Sequence, residues 1–464
     1  MSIRHDLPWR AAQTPHAPAL ETLAGTWTFA DLFDLARRGA AHVRAAAPRD
    51  DAPVALLLEG DAEFAAWFHA IVLAGRTALP LNLRLTTREL VQQLVDARVG
   101  LLLGNAGDSR LADLAAQVPG LHSEIAPKLD MLSMPRGAMP GESGGADTGT
   151  TLAVLFTSGT SGRAKGACLT WANFLASAEA AADRLGAVVA QRWLACMPLF
   201  HVGGLSMLMR SVRFGGPVRL LPRFDAVEVS GVLDGGDIAA VSLVPTMLSR
   251  LLAHREGRAA PPGLRVLLLG GAAAAPELLT RALAAGYPVC PTYGLTESCS
   301  QVATAAPPPV GATCASPMLP LRGTELRIDL DGREAPPGTP GEIVVRGPTV
   351  MQGYLHDPQS TARALREGWL YTGDIGCLDG EGGLRVLDRR TDLIVSGGEN
   401  VYPAEIEAVL LEHPSVVDAG VASVPDGDLG ARVVAWVVAA PGMAPDAAAL
   451  QRHCRSRLAG FKQP

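Results

Sequence analysis

Short apolar runs alternate with helical stretches along most of this chain, and that rhythm constrains the fold more than any other feature. PVALLLEG (53–60) reads as a buried strand running into a turn, EFAAWFHAIVLAG (63–75) as a helix, ALPLN (78–82) as a second strand and VGLLLGN (99–105) as a third. Such a succession predicts parallel sheets covered by helices. It returns later: RVLLLGGAAAAPELLTRALAAG (265–286) reads as strand, Gly-Gly turn and helix, and PVCPTYGLTES (288–298) as strand and loop. From about residue 320 the rhythm changes. TELRIDLDG, GEIVVRG and GLRVLDR are short alternating runs separated by Gly, Pro and Asp, which predicts a small antiparallel, barrel-like region. The last part, with a helix in PAEIEAVLLEH, strands in VVDAGVASV and ARVVAWVVAA and a helix in DAAALQRHCRSRL, reads as a small α+β domain. The expected fold is therefore α/β, with a large N-terminal domain over 1–388 and a small C-terminal domain over 389–464. The stretch 134–150, rich in Gly and Pro, reads as a surface loop.

At 464 residues the chain exceeds what one core organises, so two or three sub-domains are expected. Its 48% hydrophobic and 19% charged residues are a globular balance. The formal charge is −6 and no Lys/Arg block stands out, which argues against a nucleic-acid partner. The N-terminus carries charges and prolines and no apolar core, unlike a secretory leader. No apolar run reaches the roughly 18 residues a membrane span needs. The seven cysteines are scattered without a C-x-x-C pair, which disfavours zinc or disulfide frameworks and fits a reducing cytoplasm. A homo-oligomer is compatible with all of this.

The chemistry is concentrated in a few segments. Thr157-Ser158-Gly159-Thr160-Ser161-Gly162-Arg163-Ala164-Lys165-Gly166 follows a predicted strand. Its glycines let backbone N–H groups approach an anion, its hydroxyls add donors and Lys165 adds charge, so it suits a polyphosphate. It departs from the Walker P-loop pattern, because Ala164 precedes the lysine. The plainer reading is a surface loop. In Tyr293-Gly294-Leu295-Thr296-Glu297-Ser298, Tyr293 suits stacking on a base, Thr296 a phosphate and Glu297 a hard cation. In Tyr371-Thr372-Gly373-Asp374 and Asp388-Arg389-Arg390, Asp374 suits a ribose diol, with Arg389 beside it. Each of these strings, taken alone, is no better than an ordinary turn. His201, in PLFHVGG, reads either as a core histidine or as a cavity wall. Ser396-Gly397-Gly398-Glu399-Asn400 reads as a Gly-rich loop leading into a helix.

In order and spacing these five segments resemble the adenylate-forming superfamily, which includes acyl-CoA synthetases, luciferases and peptide-synthetase adenylation domains. The likeness spans nearly the whole chain. Within it, MPLFHVGGLSMLMRSV, VSLVPTMLSRLL, LLLGGAAAAPELL and TYGLTESCSQ resemble the o-succinylbenzoate–CoA ligase branch of menaquinone synthesis. The resemblance implies an enzyme that uses ATP, Mg²⁺ and CoA on a carboxylic acid in two steps: an acyl-adenylate with pyrophosphate, then a thioester with AMP. Residue by residue it implies that the 157–166 loop with Lys165 holds the β- and γ-phosphates. Thr296 would contact the α-phosphate and Glu297 support Mg²⁺. Tyr293, Gly294, Gly271 and Ala272 would line the adenine and acyl pockets, and Asp374 and Arg389 hold the ribose. His201 would sit by the acyl site, and Gly397 and Gly398 would face CoA. Arg210, with Ser300 and Gln301 nearby, is expected to hold the substrate's second carboxylate, the alternative being an Arg on a helix surface. The family's C-terminal domain is mobile and turns about a hinge that falls at Thr391 here.

The family also carries a catalytic lysine about two dozen residues beyond the step that Phe461-Lys462-Gln463-Pro464 matches. Lys462 is therefore not that group, the C-terminal domain looks truncated, and this 464-residue chain is expected to adenylate weakly while retaining more of the thioester step. Two other functions stay open on the sequence: ligation of another aryl or medium-chain acid, and a catalytically crippled protein that binds ATP or acyl-adenylate.

Overall fold

The computed structural model describes residues 6–47, 49, 51–132, 149–157, 163–309, 311–388 and 394–464. Two sheets dominate the N-terminal part. The first has seven strands, with Thr151–Thr157, Ala78–Pro80, Val54–Leu57, Leu101–Gly104 and His122–Ile125 parallel in that order. Lys165–Thr170 and Gly353–Tyr354 add antiparallel strands beyond Thr151–Thr157. The second sheet begins parallel as well, in the order Pro18–Glu21, Val218–Leu220, Trp193–Ala195, Ala240–Leu243, Val266–Leu269 and Val289–Leu295.

The apolar runs explain this directly. In the first sheet Val54 and Leu56 face the core between the sheets, while Ala55 and Leu57 face the core under helix Thr87–Asp96. In the second, Val266 and Leu268 face the central core, and Leu267 and Leu269 the core under helices Pro245–His254 and Pro276–Ala284. A strand covered on both faces cannot alternate, which is why these strands read as unbroken hydrophobic runs. Leu7, Trp67, Phe68, Phe174 and Met207 are among the side chains that fill the space between the sheets.

The antiparallel region beyond residue 300 is present, but it does not close on itself. Ser300–Ala305, Met318–Pro320, Leu384–Asp388, Trp369–Leu378, Gly341–Arg346 and Glu325–Leu330 continue the order of the second sheet past Val289–Leu295. The switch from parallel to antiparallel falls at Tyr293 and Gly294, where the register shifts. Gly294 is required there, because a Cβ would collide with the Ser300 carbonyl oxygen. The neighbouring turn holds Cys299 at φ 52° and Ser300 at φ 93°, left-handed backbone that non-glycine residues seldom adopt.

The C-terminal part contains the pair Ile394–Ser396 and Glu399–Val401, helix Pro403–Leu411, hairpin strands Val416–Asp426 and Gly430–Ala439, and helix Ala447–Arg455. Ile406, Leu410, Val421, Val433, Leu450 and Leu458 form its own core. The expected boundary at 388/389 and the Thr391 hinge fall on 389–393, outside the described residues, as does most of the 134–150 loop. Among the described residues no helix is long and apolar enough to cross a membrane.

Candidate active site

A cleft of about 710 Å³ opens where the two sheets and the C-terminal part meet. Thr157 ends one strand and Lys165 begins its antiparallel partner, the two residues standing opposite each other in the ladder. The hairpin thus delivers both ends of the 157–166 segment to the cleft; Ser158, Gly159, Thr160, Ser161 and Gly162 lie outside the described residues. Thr157 Oγ1 donates to Glu297 Oε1 at 3.3 Å, and the Tyr354 hydroxyl donates to the same oxygen at 2.8 Å. The Lys165 ammonium stands 5.4 Å from the Tyr354 ring centre. Glu297, in a 3₁₀ turn with Thr296, is therefore aimed into the cleft by two hydroxyls. It suits Mg²⁺ held mainly by phosphates, which needs one or two protein carboxylates. Among the described residues no group of three or more His, Cys, Asp or Glu forms a self-sufficient metal site.

On the opposite wall Asp374 is 8% exposed. Its Oδ2 accepts from the Tyr293 hydroxyl at 2.7 Å, and its own N–H donates to Thr372 Oγ1 at 3.1 Å. Tyr293 belongs to the antiparallel core and does not line the cleft. Its hydroxyl thus stands behind Asp374. Gly271, Gly294 and Thr296 line the cleft and Ala272 does not. Arg389 lies outside the described residues.

His201 caps helix Val202–Phe214, whose entry needs glycine at 204 because a Cβ would strike the Pro198 carbonyl. Two turns along the same helix Arg210 points into the far end of the cleft, only 4% exposed. Its Nη2 donates to Gln301 Oε1 at 2.6 Å, and the guanidinium lies 5.5 Å from the Trp193 ring centre. Gln301 is fixed in turn by donating to Thr304 Oγ1 at 2.9 Å. Burial lowers the Arg210 guanidinium to about 10, and Nε has no hydrogen-bond partner among the described residues. Among the described residues no carboxylate pairs with it. The helix-surface reading of Arg210 is thereby excluded, and Ser300 stands with it on the cleft wall.

The C-terminal part closes the mouth. Gly398 (φ 85°), Asn400 and Tyr402 line the cleft, whereas Gly397 donates its N–H to Leu429 O outside it. Glu399, 4% exposed, reaches across to the N-terminal part. Its carboxylate meets His201 Nε2 at 3.3 Å, Arg84 Nη1 at 3.0 Å and Asn82 Nδ2 at 3.3 Å. Lys462, 5% exposed, is clamped between Glu89 and Glu405 at 2.7 Å each, and so holds the two parts together. Arg88 and Glu412 add a bidentate pair nearer solvent. Sequence reasoning missed Tyr354, Arg84 and Glu399 as site residues. Tyr354 belongs to no motif, and Glu399 sits inside the quoted SGGEN segment, where only its glycines stood out.

Comparison with known proteins gives concordant results. A family model described as AMP-binding enzyme matches residues 7–355, and one described as AMP-binding enzyme C-terminal domain matches residues 405–464. A curated 2-succinylbenzoate–CoA ligase from Geobacillus kaustophilus is 41% identical over 465 residues, covering 99% of this chain and 92% of the relative. Two structures of the o-succinylbenzoate CoA synthetase (MenE) of Bacillus subtilis are each 37% identical over 99% of this chain. A double mutant bound with the product analogue OSB-NCoA superposes with a TM-score of 0.90, covering 93% of that chain. The complex with ATP and magnesium ion superposes at 0.75, covering 94%. One enzyme in two bound states thus superposes on this chain to different degrees.

Proposed function

Because the chain belongs to the AMP-binding enzyme family, we propose that it is an ATP-dependent acid–CoA ligase acting on 2-succinylbenzoate, the role in menaquinone synthesis that its sequence resembles. The observation that carries the substrate assignment is Arg210. A guanidinium 4% exposed, facing a cleft and held by an amide and an indole, suits an anionic partner. 2-Succinylbenzoate has two carboxylates. One is activated near Glu297 and Lys165, and the other pairs with Arg210, directly or through water, beside Ser300 and Gln301.

In the first step a carboxylate oxygen attacks the α-phosphorus of ATP, and pyrophosphate leaves. Thr157, Lys165 and the 158–162 segment hold the β- and γ-phosphates, Thr296 the α-phosphate and Asp374 the ribose, while Gly271 and Gly294 leave room for the nucleotide. Mg²⁺, when bound beside Glu297, neutralises phosphate charge. In the second step the CoA thiol, entering past Gly398, displaces AMP. Positioning and charge stabilisation do most of this work.

The test is an acid panel with and without a second carboxylate, followed by pyrophosphate release and thioester formation. Arg210→Ala should raise KM for 2-succinylbenzoate about 30-fold or more while leaving KM for ATP nearly unchanged, the scale of one charge-assisted buried contact. An unchanged acid KM transfers the chain to the second reading, a ligase of another aryl or medium-chain acid.

A further inference from the structure

The Glu399 contact joins a residue of the C-terminal part to a histidine in the cleft wall. We propose that Glu399 is a positioning residue for the thioester step: it fixes the His201 tautomer so that Nδ1 takes the proton of the CoA thiol. The inference rests on the ligase reading above.

The geometry dictates the tautomer. Glu399 Oε2 lies 3.3 Å from His201 Nε2. An ionised carboxylate only accepts, so Nε2 must carry hydrogen and Nδ1 of the neutral ring is left as the acceptor. Nδ1 has no hydrogen-bond partner among the described residues, and the ring lines the cleft. Among the described residues the titratable groups facing Glu399 are His201, at the start of helix Val202–Phe214, and Arg84, in the turn before helix Thr87–Asp96; Asn82 adds a neutral donor. Burial alone would raise the Glu399 carboxyl, but the contacts with His201 and Arg84 outweigh it and hold the group below its ordinary range. An oriented carboxylate behind an imidazole is the arrangement that makes histidine an effective base in acyl transfer.

The step balances. The thiol sulfur forms a bond to the acyl carbon, the bond from that carbon to the phosphate oxygen breaks, and its electron pair leaves with AMP. The thiol proton passes to Nδ1. Because Glu399 belongs to the C-terminal part, the base is complete only while that part is docked as it is here.

The experiment compares wild type, Glu399→Gln and Arg84→Met in each half-reaction. An amide either donates or accepts, so Glu399→Gln loses the tautomer preference. Thioester formation from pre-formed 2-succinylbenzoyl-AMP and CoA should fall about 30-fold or more, against the 10²–10⁴ range of general-base catalysis. Acid-dependent ATP–pyrophosphate exchange should stay within about 3-fold, since the loss is confined to one step. The acid limb of the pH–rate profile should move to lower pH, because removing a carboxylate disfavours imidazolium. Nitrogen NMR of labelled histidine should show Nε2–H at His201 in wild type and a tautomer mixture in Glu399→Gln. Equal losses in Arg84→Met and Glu399→Gln with an unmoved acid limb would reduce Glu399 to a domain clasp and overturn the proposal. If wild type forms no thioester from this adenylate, the substrate reading fails, and the NMR tautomer alone decides the present inference. Should Glu399→Gln not fold, Glu399→Asp, which withdraws the charge by one methylene, is read in the same way.

Discussion

Asp374 shows how much of a functional residue lies outside its motif. YTGD marked the carboxylate, but its orientation depends on the Tyr293 hydroxyl 81 positions earlier, donated from inside a hydrophobic core. Tyr293→Phe should raise KM for ATP about 3- to 10-fold with little change in kcat, the scale of one hydrogen bond to a charged group. Steady-state kinetics with saturating acid and CoA measures it. The residues legible in the sequence, Lys165, Thr296, Glu297 and Asp374, lie in strings of small and polar residues that a packed core has no use for. Tyr354 and Glu399 were illegible because their roles come from partners far along the chain: Glu297, 57 positions away, and His201, 198 away. Arg210 was half legible. Its apolar surroundings were visible in LSMLMRSV, but only the packing showed that Gln301, not a carboxylate, is its partner.

Helix Pro403–Leu411 is docked by a buried triad with more negative charge than positive. Lys462 meets both Glu89 and Glu405, and Glu405 Oε2 has no hydrogen-bond partner among the described residues. Glu89 is also spent on capping helix Thr87–Asp96, its Oε2 accepting from Thr86 N at 2.8 Å. Glu405 thus carries the surplus, and its carboxyl is raised by burial more than Lys462 lowers it. A raised acid favours the fold below its ordinary value of 4.5 and loses that contribution as pH rises through the folded value. Glu405→Gln should therefore be neutral or stabilising at pH 8 and less so near pH 4.5. Lys462→Met leaves two buried carboxylates unpaired and should cost about 3–5 kcal/mol. Thermal melts at the two pH values distinguish these. Elements of this kind were partly legible: the two-sided strands announced themselves as apolar runs, whereas the Thr86–Glu89 cap of helix Thr87–Asp96 emerged only from the structure. Closure of the antiparallel region was not legible, because alternation fixes which face a strand buries and not which neighbour it pairs with.

At the scale of the molecule, two parts with separate cores meet over a cleft that neither completes alone. Glu399, Lys462 and Arg88–Glu412 tie them together, and these contacts differ in exposure. The Arg88 pair, half open to water, should weaken in 0.5 M salt, while the buried contacts persist. Hydrogen exchange at 82–85 and 399–401 should therefore stay slow in salt and quicken in Lys462→Met. Acid should act on the same contact: the depressed Glu399 carboxyl contributes to docking above pH 4.5, and that contribution fades as pH falls through its lowered value. None of this arrangement could be read from sequence, since the residues between the parts carry no periodic signal of their partners. The amide-held Arg210 has a further consequence for how such a scaffold diversifies. Its guanidinium is anchored by one glutamine and one ring, the glutamine on the strand next to the one that carries Gly294. Replacing Arg210 and Gln301 together by leucine would leave a greasy blind end, and the same activating machinery would then be free to accept acids with plain hydrocarbon tails.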